Sequence, residues 1–497
     1  MRILFAASEV VPFAKTGGLA DVAGALPKAL RKLGHDVRVV LPRYRIVDAA
    51  GHRLTPLLDA VAVPVAGRVE RAAILEGRIP PDVPAYFVRC DRYFDRDGLY
   101  QVQGVDYPDN AERFAFFSRA ILELARALDL RPEVIHCHDW QTGLVPVYLR
   151  TLYANDPALA PAGVLFTIHN MGYQGLFPPE ALDSFGLGRD MFTPGGIEFY
   201  GRVNLLKAGL VFSDLLNAVS RRYSREIQTE EFGLGLDGVL RARSKDVFGI
   251  LNGIDQEEWD PATDQYLAAR YDHRDLAGKA ACKADLQRAV GLRADPAAPL
   301  FGVISRLAEQ KGMDLVADSL ETILEVGGQF VLLGTGEPAL EDRFRAAAVA
   351  NPGRVAAVIG FDLALSHKIE AGADFFLMPS RYEPCGLNQM YSLRYGTIPI
   401  VRATGGLDDT VIPYNRRTGE GNGLKFEAAT ADALCLAICR AAALYRNPAA
   451  RQHLIANGMR GDFSWDRSAR EYEALYREAA RRRALSAQAE VPGMRRA

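Results

Sequence analysis

The chain has 497 residues, 49% hydrophobic and 24% charged, which exceeds one ordinary hydrophobic core and calls for two or more domains. Its 59 basic and 61 acidic residues are intermixed for a net charge of −2, a balance that argues against a nucleic-acid surface and against attraction to a membrane. The six cysteines form no CxxC pair, no apolar run approaches bilayer length, and the N-terminal MRILFAASEV meets Glu9 too early for a signal peptide, so a reducing cytoplasmic location is expected.

Residues 3–7 read as a buried strand, and Leu19, Val22, Ala23, Leu26, Leu30 and Leu33 recur on one face of the helix that follows. The loop between them holds Lys15, Gly17 and Gly18. Glycines admit close backbone approach, a helix start offers unpaired N–H groups and a positive dipole, and Lys15 adds a mobile charge, so phosphate is a natural guest. The competing reading is a strand-to-helix turn that binds nothing, since the loop matches neither the Walker pattern nor GxGxxG. Pro27 removes the N–H that would pair with Ala23 and predicts a bend in the helix.

Strands continue at 37–41, 85–88, 134–136, 164–168 and 215–219, separated by helical segments, while residues 51–110 predict an insertion of hairpins and loops. The second half repeats the grammar, with strands at 300–304, 329–333, 354–359, 374–378 and 398–401. Such alternation predicts two α/β domains, 1–247 and 248–465, each a parallel sheet covered by helices. A last helix spans about 466–485 with Asp466 as its cap, and 486–497 reads as a frayed tail.

In open parallel sheets ligands bind beyond the carboxyl ends of the strands. Those places hold Lys15, the HDW of His138 to Trp140, and His169 with Asn170 in the first half; the second half holds SRLAEQKG with Arg306 and Lys311, then PSRYEPCGLNQ with Glu383, then ATGGL. Two charged rims suggest a cleft between the domains. Arg306 and Lys311 suit a diphosphate, as a fork and a point charge, or form a solvated basic turn. Glu383 addresses sugar hydroxyls or developing positive charge, or caps the helix starting near Leu387. His136, His138 and His169 lack a ligand set with metal spacing, and Asp95 with Asp97 formally matches a DxD within the irregular insertion. No metal is expected.

Together KTGGLADVAGALPKAL, HCHDWQTG, TIHNMGYQG, LNGID, SRLAEQKG, PSRYEPCGLNQMYSLRYGTIP and ATGGLDDTV resemble one family, bacterial glycogen synthase and plant starch synthase, over nearly the whole chain. The resemblance implies two facing Rossmann-like domains of the GT-B type with an interdomain cleft, the last helix crossing back onto the first. It implies transfer of glucose from ADP-glucose to an α-1,4-glucan with retention, without cofactor, nucleic acid or membrane. It assigns Lys15, Gly18, Arg306 and Lys311 to the sugar nucleotide, and Asp139, His169 and Glu383 to the glucose. Asn252, Gly360, Phe361 and the helix start at Leu387 follow as secondary contacts. Many related transferases carry a second glutamate eight positions after the first, and Tyr391 stands there in this chain.

Rival readings are a UDP-glucose-dependent or other retaining transferase of the same architecture, a glucan phosphorylase, and a noncatalytic glucan-binding regulator. The first should lack the extended KTGGLADVAGALP and HCHDW strings. The second needs a pyridoxal-binding lysine and a longer chain. The third should have lost rim charges, and none is lost.

Overall fold

The computed structural model describes residues 1–489. They divide into two compact units, one built from Met1–Val219, Ser224–Gly253 and the chain from Trp465 onward, the other from Ser220–Tyr223 and Ile254–Ser464.

The first unit is organised on a nine-stranded sheet in the order Val247–Gly249, Leu215–Ala218, Gly163–Ile168, Val134–His138, Arg2–Ala6, Asp36–Pro42, Val83–Arg89, Arg68–Ile79 and Thr55–Val65. The first seven are mutually parallel. Counted along the chain they run 3-2-1-4-5-6-7 across the sheet, with Arg2–Ala6 as strand 1 and Val134–His138 as strand 4. Helices cover both faces of such a sheet, which is why strand residues such as Phe5, Val39, Val40, Leu165 and Phe166 are all fully buried.

Within 51–110, where hairpins and loops are expected, a hairpin of Thr55–Val65 with Arg68–Ile79 extends the main sheet antiparallel to Val83–Arg89. The helix Gly18–Lys32 continues through the buried Pro27 without interruption. The last helix, Trp465–Ala489, starts one residue before Asp466, so this carboxylate sits in the first turn, where it complements the helix dipole, rather than at the cap. That helix also runs beyond residue 486, where the tail was expected; 490–497 lie outside the described residues. Its Tyr472 and Tyr476 are fully buried, and its backbone passes so close to the sheet that a Cβ on Gly163 would lie 2.6 Å from the Ala479 carbonyl.

The second unit carries six parallel strands in the order Val355–Ile359, Gln329–Gly334, Leu300–Ile304, Phe375–Met378, Ile398–Arg402 and Leu424–Phe426. In chain order this is 3-2-1-4-5-6, the doubly wound arrangement whose ligands bind where the order reverses, between strands 1 and 4. Leu300, Val331, Leu333, Ile369 and Phe376 centre its core. Leu424–Phe426 was not legible because three residues carry too little periodicity. Among the described residues no helix is long and apolar enough to cross a membrane.

Candidate active site

Strand 1 of the second unit ends at Ile304 and delivers the loop Ser305 to Gly312; strand 4 ends at Met378 and delivers Pro379 to Leu387. The two loops meet at the switch point. Lys311 Nζ donates to Glu383 Oε1 at 2.9 Å and to Oε2 at 2.7 Å, and Ser380 Oγ adds a third hydrogen bond at 3.0 Å. Glu383 is buried, and its carboxylate therefore answers a lysine rather than capping the next helix. Arg306, expected to converge with Lys311, stays exposed and donates to Gln310 Oε1 at 3.1 Å.

The Glu383 loop is pinned from several sides. Asn388 Nδ2 donates to the Ile304 carbonyl at 2.7 Å, and Gln389 Nε2 donates to the carbonyls of Cys385 and Gly386, each at 3.0 Å. Leu387 directly precedes the helix Asn388–Arg394 that supplies both amides. From the ATGGL motif, Gly405 has φ of +44° and packs so tightly that a Cβ would stand 1.8 Å from the Glu383 carbonyl oxygen. Only glycine tolerates both the conformation and the approach. At the end of strand 3, Gly360 N–H donates to the Gly334 carbonyl at 3.0 Å, and Phe361 beyond it is 86% exposed.

In the first unit the loop after strand 1 is organised around a buried carboxylate. The N–H groups of Thr16 and Gly17 are not open to an anion; both donate to Glu9 Oε2, the latter at 3.1 Å, while Thr16 Oγ1 and Tyr100 Oη donate to Glu9 Oε1 at 2.6 and 2.8 Å. Lys15 itself is half exposed and pairs with Asp21 Oδ1 at 2.6 Å in the first turn beginning at Gly18. Glu9 is thus the residue that shapes this loop, and sequence reasoning passed over it. Its signal was an isolated carboxylate inside the apolar stretch AASEVVPF, because a buried charge demands partners.

Strand 4 of this unit delivers Asp139, and strand 5 delivers His169. Asp139 Oδ1 accepts the His169 N–H at 2.7 Å, and the Asn170 N–H also faces the carboxylate. Burial pushes the Asp139 acid up to about 7 against the pull of those two amides. Its backbone has φ of 54° and ψ of −176°, a region nearly reserved for glycine; such strain is held at functional positions. Beneath lies a stack of neutral imidazoles. His138 Nδ1 stands 2.9 Å from His169 Nε2, and the His136 and His138 rings lie 4.0 Å apart. Burial lowers His169 to about 3 and holds His136 and His138 well below the ordinary imidazole range. His136 bonds Tyr476 Oη at 2.9 Å and Thr167 Oγ1 at 2.7 Å. Asn252, on the loop after strand 7, is buried with its Oδ1 unpartnered.

Other singled-out residues have structural employment. Asp95 and Asp97 both engage Arg45, at 2.7 and 2.5 Å. Among the described residues no group of three or more His, Cys, Asp or Glu side chains is disposed to hold a metal ion. Tyr391 stacks on Trp259 with centroids 3.8 Å apart, and Trp259 stacks in turn on His367 at 4.0 Å.

Comparison with known proteins fits this arrangement. The family model of the starch synthase catalytic domain matches residues 2–242, and that of group 1 glycosyl transferases matches 290–460. The glycogen synthase of Anaeromyxobacter sp. strain Fw109-5 is 55% identical over 481 residues, covering 97% of this chain and 100% of the relative. This chain belongs to the glycogen synthase family. Another glycogen synthase, from Koribacter versatilis strain Ellin345, is 50% identical across 97% of this chain and 99% of its own. Among solved structures, the catalytic domain of starch synthase IV from Arabidopsis thaliana, bound to ADP and acarbose, superimposes with a TM-score of 0.90 at 38% identity, covering 96% of this chain and 99% of that one. Like other glycogen synthase relatives, the chain is a glucosyltransferase of two Rossmann-like GT-B domains.

Proposed function

We propose that the protein transfers glucose from ADP-glucose to the 4-hydroxyl at the non-reducing end of an α-1,4-glucan, with retention at the anomeric carbon, in the cytoplasm and without a metal or other cofactor. The observation that carries this reading is the Lys311–Glu383 pair, a cation and a carboxylate fixed at the switch point of a doubly wound sheet. Glycogen synthase membership supports the glucan substrate, and the ADP bound to the Arabidopsis relative supports an adenine nucleotide.

Departure of ADP builds negative charge on the diphosphate and positive charge on the sugar ring, so fixed cations belong at one end and carboxylate or carbonyl dipoles at the other. Arg306 and Lys311 neutralise the diphosphate. Lys15 and Gly18 contact the sugar nucleotide, with Asn252, Gly360, Phe361 and the backbone at Leu387 as further donor contacts. Glu383, Asp139 and His169 address the glucose. Attack on the face that the diphosphate leaves, through a short-lived oxocarbenium-like ion pair, gives retention without a second nucleophile.

The test is release of nucleoside diphosphate by purified protein given glycogen and either ADP-glucose or UDP-glucose. Glycogen-dependent release of ADP, faster than that of UDP, is expected. No release above a primer-free control with either donor overturns the transferase reading, and faster UDP release overturns the donor assignment.

A further inference from the structure

The three imidazoles beneath Asp139 are not equivalent. His136 is bonded at both ring nitrogens, to Tyr476 Oη and Thr167 Oγ1. Asn217 Nδ2 donates to that same Thr167 Oγ1 at 3.3 Å and to Tyr472 Oη at 2.9 Å, so the hydroxyl of Thr167 has its own proton left to give to His136 Nε2. His136 is a satisfied strut. His138 differs. Its Nδ1 faces His169 Nε2 at 2.9 Å, while its Nε2 is buried with no hydrogen-bond partner. Its ring is clamped between Phe5, at 4.2 Å between centroids, and His136 at 4.0 Å, which leaves no space to turn over.

A neutral imidazole carries one N–H. Placing it on Nε2 would orphan a donor in the core, and orphaned buried N–H groups are rarer than under-used acceptors. The proton therefore belongs on Nδ1, where an acceptor waits 2.9 Å away. Neutral His169, accepting at Nε2, must then carry its own proton on Nδ1.

We propose that His138 is a positioning residue that locks the ring of His169 and fixes it as the Nδ1–H tautomer, so that His169 offers a hydrogen-bond donor, and not an acceptor, to a hydroxyl of the bound glucose. The donor is supplied by His169; His138 acts only through it. The assignment of glucose to this site rests on the transferase reading above, whereas the tautomer is a property of the resting protein. Burial depresses the basicity of His169, so the ring stays neutral, and in the same tautomer, near pH 7.

The experiment has two arms. Long-range proton–nitrogen spectra of 15N-histidine-labelled protein, with His169 signals assigned by their loss in His169→Gln, are expected to show a pyrrole-type Nδ1 and a pyridine-type Nε2 on both His169 and His138. The opposite pattern on His169 overturns the proposal whether or not the protein transfers glucose. In the second arm His138→Phe keeps the ring volume and removes the donor, and His138→Gln restores an N–H. The phenylalanine variant is expected to lose roughly 10- to 100-fold in kcat with KM for glycogen unchanged, and glutamine to recover part of it. A His138→Phe protein with wild-type kcat overturns the positioning role. Should that variant fail to fold, the spectrum of the wild type decides.

Discussion

Lys311 Nζ stands 2.9 and 2.7 Å from the two carboxylate oxygens of Glu383, bridging the loops after strands 1 and 4 of the second unit. Neither group is replaceable without stranding the other in a largely buried position. Lys311→Gln is expected to lower kcat about 100- to 1000-fold, the usual consequence of losing one preorganised electrostatic contact. It should also cost about 1–3 kcal/mol in urea unfolding through the unpaired carboxylate. Wild-type turnover in a folded Lys311→Gln protein would contradict the assignment.

Gly405 tests how firmly the backbone of Glu383 is placed. Gly405→Ala forces a methyl group into the Glu383 carbonyl at a φ of +44°, and a loss of more than about 1–3 kcal/mol is expected, with activity falling further than stability alone explains. Gly238→Ala, in the helix Asp237–Ala242 with nothing within 4 Å of the added carbon, should instead stabilise by about 0.5–1 kcal/mol. Thermal melts of the two variants make the comparison.

Glu9→Ala removes the shared acceptor of the Thr16 and Gly17 N–H groups. Freed from it, the Lys15 loop should loosen, raising KM for the sugar nucleotide, with about 1–3 kcal/mol lost from stability. Equal KM in mutant and wild type would show that the loop's shape is set elsewhere.

Most of the strand framework could be read from the sequence, because buried parallel strands are short apolar runs and every one of 300–304, 329–333 and 398–401 advertises itself that way. The edges could not: Val247–Gly249 and Leu424–Phe426 are too brief to show a period. Hairpins were expected within 51–110, but that the pair 55–79 extends the main sheet was not legible, because its strands are half exposed and mix charged with apolar residues. Rim residues were legible from their places after strands, Lys311 and Glu383 among them. What was not legible is who their partners are. Glu9 takes the amides of Thr16 and Gly17 just ahead of the helix start, and His138 stands behind His169 through a contact between residues 31 apart in sequence.

Asp139 carries a pH signature. With its acid raised to about 7 by burial, the side chain is neutral below that pH and a carboxylate above it. If the carboxylate is the working form, kcat/KM should fall as pH drops through about 7, and Asp139→Asn should lower activity throughout and flatten that limb. A wild-type profile level from pH 5 to 8 would refute the expectation.

The imidazole stack makes acid unfolding diagnostic. Unfolded histidines gain protons below about pH 6.5, whereas His169 resists protonation down to about 3 and His136 and His138 are also held neutral by burial. Their folded pKa values are depressed, so stability is full above 6.5 and declines as pH falls, by about 1.4 kcal/mol per pH unit for each histidine. Asp139 and Glu370, raised to about 7 and 8, hold protons in the native state over part of this range and oppose the slope. The difference between proteins is therefore the informative quantity: His136→Gln should take up about one proton fewer than wild type on unfolding at pH 5, measured by urea titration at neighbouring pH values.

The first unit is discontinuous in the chain: its His136 and Asn217 find their hydroxyl partners on Tyr476 and Tyr472, close to the C-terminus. During synthesis at roughly 5–20 residues per second, the amino-terminal sheet emerges first yet must wait for the last helix to cover the face of strands 4 and 5. The second unit, encoded later, has all its strands before residue 430 and is complete before that helix leaves the ribosome. Ribosome stalling or a premature stop before Trp465 would leave finished a unit that was begun second, and the earlier one open along a buried polar face.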